Sequence, residues 1–309
     1  MAASKLPNPM EWEVLVVDNG STDRTRDLVE EFCRRYPNRF RYFLEARQGK
    51  SYALNSGVRH ARGDVLVFTD DDVTVDPAWL HRMSSVFQEG KWAGASGRTL
   101  PAPGFVPPKW LNMRDRYAWG ALAMFDRGLC PGYLDEAPFG NNMAYRREVF
   151  DRYDCFRTDL GPLPDVREPQ KGEDSEFGSR LLTAGESLRY EPRALVYHAI
   201  PESKARQAYF FRWWFDKARA DVRISGSQLN HKWKVLGIAL VGFRRIVIWA
   251  IRWLFSAHPA TRFECKVSIC VNAGWITESY RRVRRGSILN RQRHPGPGDP
   301  SVDERPNPI

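Results

Sequence analysis

Between residues 11 and 97 the apolar positions alternate between short continuous runs and helical stripes. Glu13 to Val17 is a run that ends at Asp18 and reads as a buried strand. Leu28, Val29, Phe32 and Cys33 recur at helical spacing, and Pro37 closes that helix. Phe40 to Leu44 reads as the next strand. Ala53, Leu54, Val58 and Ala61 mark a second helix, stopped by Gly63. Val65 to Phe68 is strongly β-prone. Asp76 before Pro77 offers a cap and a first-turn proline to a helix with Leu80, Met83 and Phe87 on one face. Trp92 to Ala95 is a further strand. Strands and helices in this order predict a doubly wound α/β fold, with a mostly parallel sheet covered on both faces.

After residue 97 the pattern changes. Pro101, Pro103, Gly104, Pro107 and Pro108 mark an excursion from the sheet. Phe177, Leu181 and Leu182 predict a helix after Asp174 that Gly185 ends, and Ala194 to Tyr197 reads as a strand. Residues 204–255 read as helical and are rich in Arg and Trp. Val235 to Phe255 is very apolar but carries Arg244, Arg245 and Arg252. A spanning helix needs about 20 apolar residues with few charges. Two readings therefore stand: a helix lying in a membrane interface, or one packed on the main domain. Tyr209, Phe210, Phe211, Trp213, Trp214 and Phe215 around Arg212 pose the same choice between an interfacial aromatic belt and core packing. The expected divisions are an α/β domain over 11–200, a helical basic and aromatic appendage over 201–290, and a disordered Pro- and Gly-rich tail over 291–309.

An apolar fraction of 42% suits a folded core and excludes a disordered chain. The five cysteines include no Cys-x-x-Cys pair, which argues against a disulfide framework or zinc ribbon and for a reducing, cytoplasmic setting. Met1 to Met10 has no apolar run behind a basic start, so no signal peptide is expected. The net charge of +10 is concentrated in residues 204–293 and calls for an anionic partner. Arg281-Arg282 and Arg284-Arg285 come with no base-reading motif, which excludes nucleic acid as that partner. Neither a dinucleotide-binding glycine motif nor a Walker loop occurs.

The candidate chemistry lies at predicted strand ends, where parallel sheets bind ligands. Asp18 ends the first strand; Asp70, Asp71 and Asp72 follow Val65 to Phe68. Adjacent carboxylates repel one another unless they share a cation, and hard divalent ions take one or two carboxylates plus substrate phosphates. Alternation makes Asp70 and Asp72 the natural pair; the competing reading is a solvated acidic turn. Lys50 stands before a helix, where phosphate is attracted. Gly172-Glu173-Asp174-Ser175-Glu176 either caps a helix or supplies a general base.

In order and spacing these segments resemble family 2 glycosyltransferases, which have the GT-A fold. Val16-Val17-Asp18-Asn19-Gly20-Ser21-Thr22-Asp23 resembles the family's nucleotide-binding signature. Gly49-Lys50 with Ala53-Leu54-Asn55-Ser56-Gly57 is similar to its next motif, and Gly63-Asp64 with Phe68-Thr69-Asp70-Asp71-Asp72 to its Asp-x-Asp metal site. Phe139-Gly140-Asn141-Asn142-Met143-Ala144-Tyr145-Arg146-Arg147 resembles the loop beneath the acceptor, and Gly172 to Glu176 the motif holding the base. The resemblance implies inverting transfer of a sugar from a nucleotide-diphosphate donor to a hydroxyl. Asp174 is implied as the base. Asp18, Lys50, Asn55, Asp70, Asn141, Asn142 and Glu173 are implied as substrate-binding residues, and Asp70, Asp72 and His198 as ligands of Mg²⁺ or Mn²⁺. The acceptor is expected to be a lipid-linked or cell-surface polysaccharide precursor, reached by peripheral contact at the inner face of the membrane. One feature departs from the pattern: the family has a strand and helix before the Val-Val-Asp signature. Residues 1–10 show no strand-like run, so that first β-α unit is expected to be missing. Two rivals compete: a haloacid-dehalogenase-like phosphatase using Asp70-Asp71-Asp72-Val73-Thr74, and a degenerate, non-catalytic transferase relative.

Overall fold

A computed structural model describes residues 10–161, 172–224 and 232–293. The N-terminal half runs β1 (Val14–Asp18), α1 (Thr25–Arg35), β2 (Phe40–Leu44), α2 (Lys50–His60), β3 (Val65–Phe68), β4 (Val73–Val75), α3 (Trp79–Ser85) and β5 (Gly94–Pro101). Next come α4 (Arg116–Leu122), β6 (Gly132–Tyr133), β7 (Met143–Arg146), α5 (Glu148–Arg152), α6 (Glu173–Thr183) and β8 (Leu188–His198). Three long helices follow: α7 (Gln207–Ile224), α8 (Lys232–Phe255) and α9 (Pro259–Arg293). The continuous apolar runs became strands β2 and β3 at the expected boundaries. The strand expected at Trp92 to Ala95 starts later and runs on to Pro101 as β5. Helix α9 continues through Arg291 to Arg293, and the rest of the expected tail lies outside the described residues.

The fold is α/β, as expected, with its strands in two sheets. β1 and β2 pair in parallel as a two-stranded unit; the larger sheet has the order β3-β7-β5-β8-β4, with β6 on β8. β3, β5 and β8 run one way, and β7 runs between β3 and β5 in the opposite direction. Among the described residues β1 pairs only with β2, and β3 only with β7, so each keeps one unpaired edge. Alternation along β7 divides the core: Tyr145 joins the cluster with Leu66, Phe150 and Phe177, while Ala144 joins Trp79, Met83 and Phe87 of the α3 side. The sheet is thereby covered by α5 and α6 on one face and α3 on the other.

A bulge between β5 and β8 is decisive for the site. Gly97 pairs with Glu191 but Arg98 pairs with Leu195, so three extra residues of β8 bow out. An odd insertion swaps the faces. Leu188 and Tyr190 therefore pack on the α6 side, and Ala194 and Val196 on the α3 side. Gly97 is required here, because a Cβ would lie 2.0 Å from the Ala194 carbonyl oxygen.

The aromatic segment of α7 is core rather than an interfacial belt. Phe210 is fully buried with Phe263 of α9 and Leu122 of α4. The Tyr209 hydroxyl donates to the Ala121 carbonyl, and the Trp214 Nε1–H to that of Tyr117. Tyrosine and tryptophan can bury their rings only where these polar ends find partners. Among the described residues no helix is long and apolar enough to cross a membrane.

Candidate active site

Asp18 closes β1 almost fully buried. Its carboxylate accepts the Ser21 N–H and the Tyr42 hydroxyl, each at 2.8 Å. Burial pushes this carboxyl up, but the bonds from Ser21 and Tyr42 outweigh it and hold the group below the usual aspartate range. Asn19 then stitches the loop after β1 to the loop after β2. Its amide nitrogen donates to the Glu45 and Arg47 carbonyls, and its oxygen accepts the Gly49 N–H at 2.6 Å. Gly49 has φ of 135°, which a side chain would resist, and from that turn Lys50 opens α2.

Lys50 is the hub of the site. Its Nζ lies 2.8 Å from Asp70 Oδ1 and 4.0 Å from Glu173 Oε1. Burial works against its charge, but Asp70, Glu173 and Asp174 prevail and hold the ammonium well above the usual lysine range. Glu173, at the start of α6, is 5% exposed. Its burial, and next the Asp174 charge, push its carboxyl up to about 7. Asp174 is held on both oxygens: Oδ2 accepts the Gly140 N–H at 2.7 Å, and Oδ1 the Ser175 N–H at 2.7 Å. Four chain segments, those carrying Lys50, Asp70, Gly140 and Glu173-Asp174, thus converge on one spot.

Beside it, Asp72 meets His198 at the end of β8. His198 Nε2 is 3.1 Å from Asp72 Oδ2, and its Nδ1 is 2.7 Å from the Leu122 carbonyl oxygen. Two nitrogens with fixed partners orient the ring. Strand pairing sets this contact, since Val73 is in register with His198. Lys204 Nζ lies 3.7 Å from the same Asp72 oxygen; with no motif of its own, it gave no signal in the sequence.

The remaining expected site residues have partners within the fold. Of the expected metal ligands, Asp72 meets His198 and Asp70 meets Lys50. Among the described residues no three His, Cys, Asp or Glu side chains form a metal-binding group. Each of these two carboxylates has an ammonium nearby, Lys50 beside Asp70 and Lys204 beside Asp72. The side-chain amides of Asn55, Asn141 and Asn142 bond within the fold. The Asn55 amide is consumed by Phe156, donating to its carbonyl and accepting its N–H. Asn141 donates to the Ala123 carbonyl. Asn142 accepts the Trp79 Nε1–H and donates to the Arg98 and Ala194 carbonyls. Asn142 thus satisfies the polar groups that the β5–β8 bulge exposes, and so supports the segment ending at His198.

Residues 2–154 match the model of Glycosyl transferase family 2, a span that includes Asp18, Lys50 and the Asp70 to Asp72 turn. The chain belongs to that family. It is a glycosyltransferase, and the phosphatase reading of Asp70 to Thr74 falls away. The transferase is 26% identical to the succinoglycan biosynthesis protein ExoM of Rhizobium meliloti over 278 residues, covering 90% of this chain and 85% of ExoM. It is 26% identical over 157 residues to a glucosyl-dolichyl phosphate glucuronosyltransferase of Haloferax volcanii, 50% of this chain and 49% of that protein. It also spans only 46% and 56% of the two relatives YdaM of Bacillus subtilis and AglE of Haloferax volcanii. The mannosyltransferase PcManGT of Pyrobaculum calidifontis, solved with GDP-Man and Mn²⁺, overlaps 90% of this chain and 70% of its own at 19% identity and a TM-score of 0.49.

Proposed function

We propose that this transferase moves a sugar from a nucleotide-diphosphate donor to an acceptor hydroxyl with inversion at the anomeric carbon, and that Asp174 is the base. The observation that carries the proposal is the convergence of Lys50, Asp70, Glu173 and Asp174 at the strand ends. In the step, the acceptor oxygen forms a bond to the anomeric carbon as the bond from that carbon to the diphosphate oxygen breaks. The hydroxyl proton passes to Asp174. Gly140 and Ser175 orient the Asp174 carboxylate through N–H donors, so the base needs no reorganisation to act. Asp18, low in pKa and pinned by Tyr42, suits a fixed acceptor for the nucleoside. Lys50 offers positive charge to the diphosphate.

The donor set also fits a divalent ion. Asp72 and Asp70 are partly exposed carboxylates, and His198 presents one ring nitrogen beside Asp72. Such an ion, Mg²⁺ or Mn²⁺, needs only one or two protein carboxylates when phosphates complete its shell. When bound it would neutralise charge on the departing diphosphate. A lipid-linked or polysaccharide-precursor acceptor fits the basic C-terminal segment, and it matches what the names of ExoM and the dolichyl-phosphate relative say of those proteins. Peripheral contact with the inner face of a membrane belongs to the same reading. A non-catalytic relative would have no reason to keep four segments focused on one half-buried lysine.

The test uses release of UDP or GDP from sugar nucleotides in the presence of lipid-linked acceptor. Asp174→Asn should lower turnover by roughly 10²–10⁴-fold with little change in donor Kd. Asp72→Asn should weaken Mn²⁺-dependent binding of the nucleotide instead. Full turnover in Asp174→Asn would show that the base lies elsewhere.

A further inference from the structure

Among the described residues, nothing packs against one apolar face of helix α8. Leu240, Phe243, Val247, Ile251 and Leu254 recur at steps of three and four residues, and each is at least 40% exposed. Phe255 extends the stripe and is 82% exposed. The opposite face is the packed one: Gly242 is buried, and a Cβ there would lie 2.9 Å from Ile276 of α9. Ile246, Trp249 and Trp253 on that side are half-buried. The helix is therefore amphipathic in an unusual sense, with an apolar stripe on its solvent side as well as its packed side. A row of large apolar residues left in water marks a docking surface.

The charges decide what docks. The α8 sequence has five Lys and Arg residues and no Asp or Glu. Arg244, Arg245 and Arg252 are exposed along the stripe and its flank. Arg252 feels Glu264 of α9, while Arg244 and Arg245 form no ion pair among the described residues. A second copy packed face to face would set arginine against arginine with no carboxylate on either helix to answer it. An anionic bilayer surface answers both features, taking the apolar stripe among its acyl chains and the guanidinium groups among its phosphates. The helix is too polar to cross, so it would lie in the plane of the interface. We propose that the exposed face of α8 docks this transferase on an anionic lipid bilayer. This deepens the membrane reading above and rests on it, naming the surface and the lipid charge.

Flotation of the full chain with vesicles tests it, with no sugar donor present. The wild type should float with phosphatidylglycerol-containing vesicles, bind pure phosphatidylcholine poorly, and detach as salt is raised. Each basic residue near such a surface is worth about fivefold in partitioning. The triple variant Arg244→Gln, Arg245→Gln, Arg252→Gln should therefore bind anionic vesicles roughly a hundredfold more weakly. Val247→Asp with Ile251→Asp should abolish flotation while the helical circular dichroism and nucleotide binding stay at wild-type levels. Should the double variant misfold, Arg244→Gln with Arg245→Gln tests the same surface without touching the Arg252 stack on Trp249. The proposal is overturned if the folded wild type fails to float, if charge makes no difference to flotation, or if light scattering shows a dimer that the aspartate variants dissociate. Loss of nucleotide binding with flotation intact would instead count against the catalytic reading alone.

Discussion

Replacing Lys50 by Met removes an ammonium that Asp70, Glu173 and Asp174 share, and keeps the length of the aliphatic stem. At an effective dielectric of about 20, a unit charge pair 4 Å apart is worth about 4 kcal/mol. Lys50 and Asp70 are each 30% exposed, so solvent screening and the recovered desolvation of the lysine reduce the net loss. We expect Lys50→Met to destabilise the fold by about 1–3 kcal/mol at pH 7–8, a fall in Tm of roughly 2–4 °C for each kcal/mol at this size. The direction with pH follows from which groups are charged. In the variant the carboxylates repel one another without a counter-charge, and protonating them relieves the repulsion. The gap between wild type and variant should therefore narrow as pH falls and Glu173, held at about 7 in the wild type, takes up its proton. Thermal unfolding followed by circular dichroism across pH 4–8 measures this directly. A variant whose Tm matches wild type at pH 8, or whose deficit does not change with pH, would show that the ammonium is not what balances the cluster.

Glu173 gives a second pH signature. Its folded-state pKa of about 7 lies above its unfolded value of 4.5, so the stability from its protonated form is complete below pH 4.5 and lost as pH rises through 7. Glu173→Gln should flatten the wild-type decline over that window, which is at most about 3 kcal/mol, and equal stability slopes in the two proteins would reject the assignment. Asn142→Ala strips partners from the buried Trp79 and Ala194 groups and from the half-buried Arg98 carbonyl. It should cost about 2–4 kcal/mol in urea unfolding and weaken Mn²⁺-dependent nucleotide binding through His198; a loss below 0.5 kcal/mol would show that water replaces the amide.

The local layout could be read from the chain. Phe40 to Leu44 and Val65 to Phe68 are β-prone runs flanked by turn residues, and they formed strands at those limits. The acidic turn after β3 and the Glu173-Asp174 pair at the start of α6 were visible as unusual charge placements beside apolar elements. The partners of these groups were not visible. Asn55, Asn141 and Asn142 lie in family motifs, and a motif does not tell whether an amide faces substrate or backbone. The aromatic run of α7 has the composition of an interfacial belt, yet α4 and α9 cover it. The exposed apolar stripe fell instead on α8, whose composition is equally apolar, because only one of its faces meets α9.

By itself, the sequence determined which residues carry charge, the limits of strands such as Phe40–Leu44 and Val65–Phe68, and which carboxylates stand at strand ends. Those properties depend on neighbours a few positions apart, through side-chain periodicity and turn chemistry. Only the tertiary structure decided that Lys50 would neutralise Asp70, that His198 would meet Asp72, and that the β8 bulge would need Asn142. These contacts join residues 20 to 126 positions apart. Their geometry is fixed by sheet register and by the packing of helices on its two faces, which no local pattern encodes.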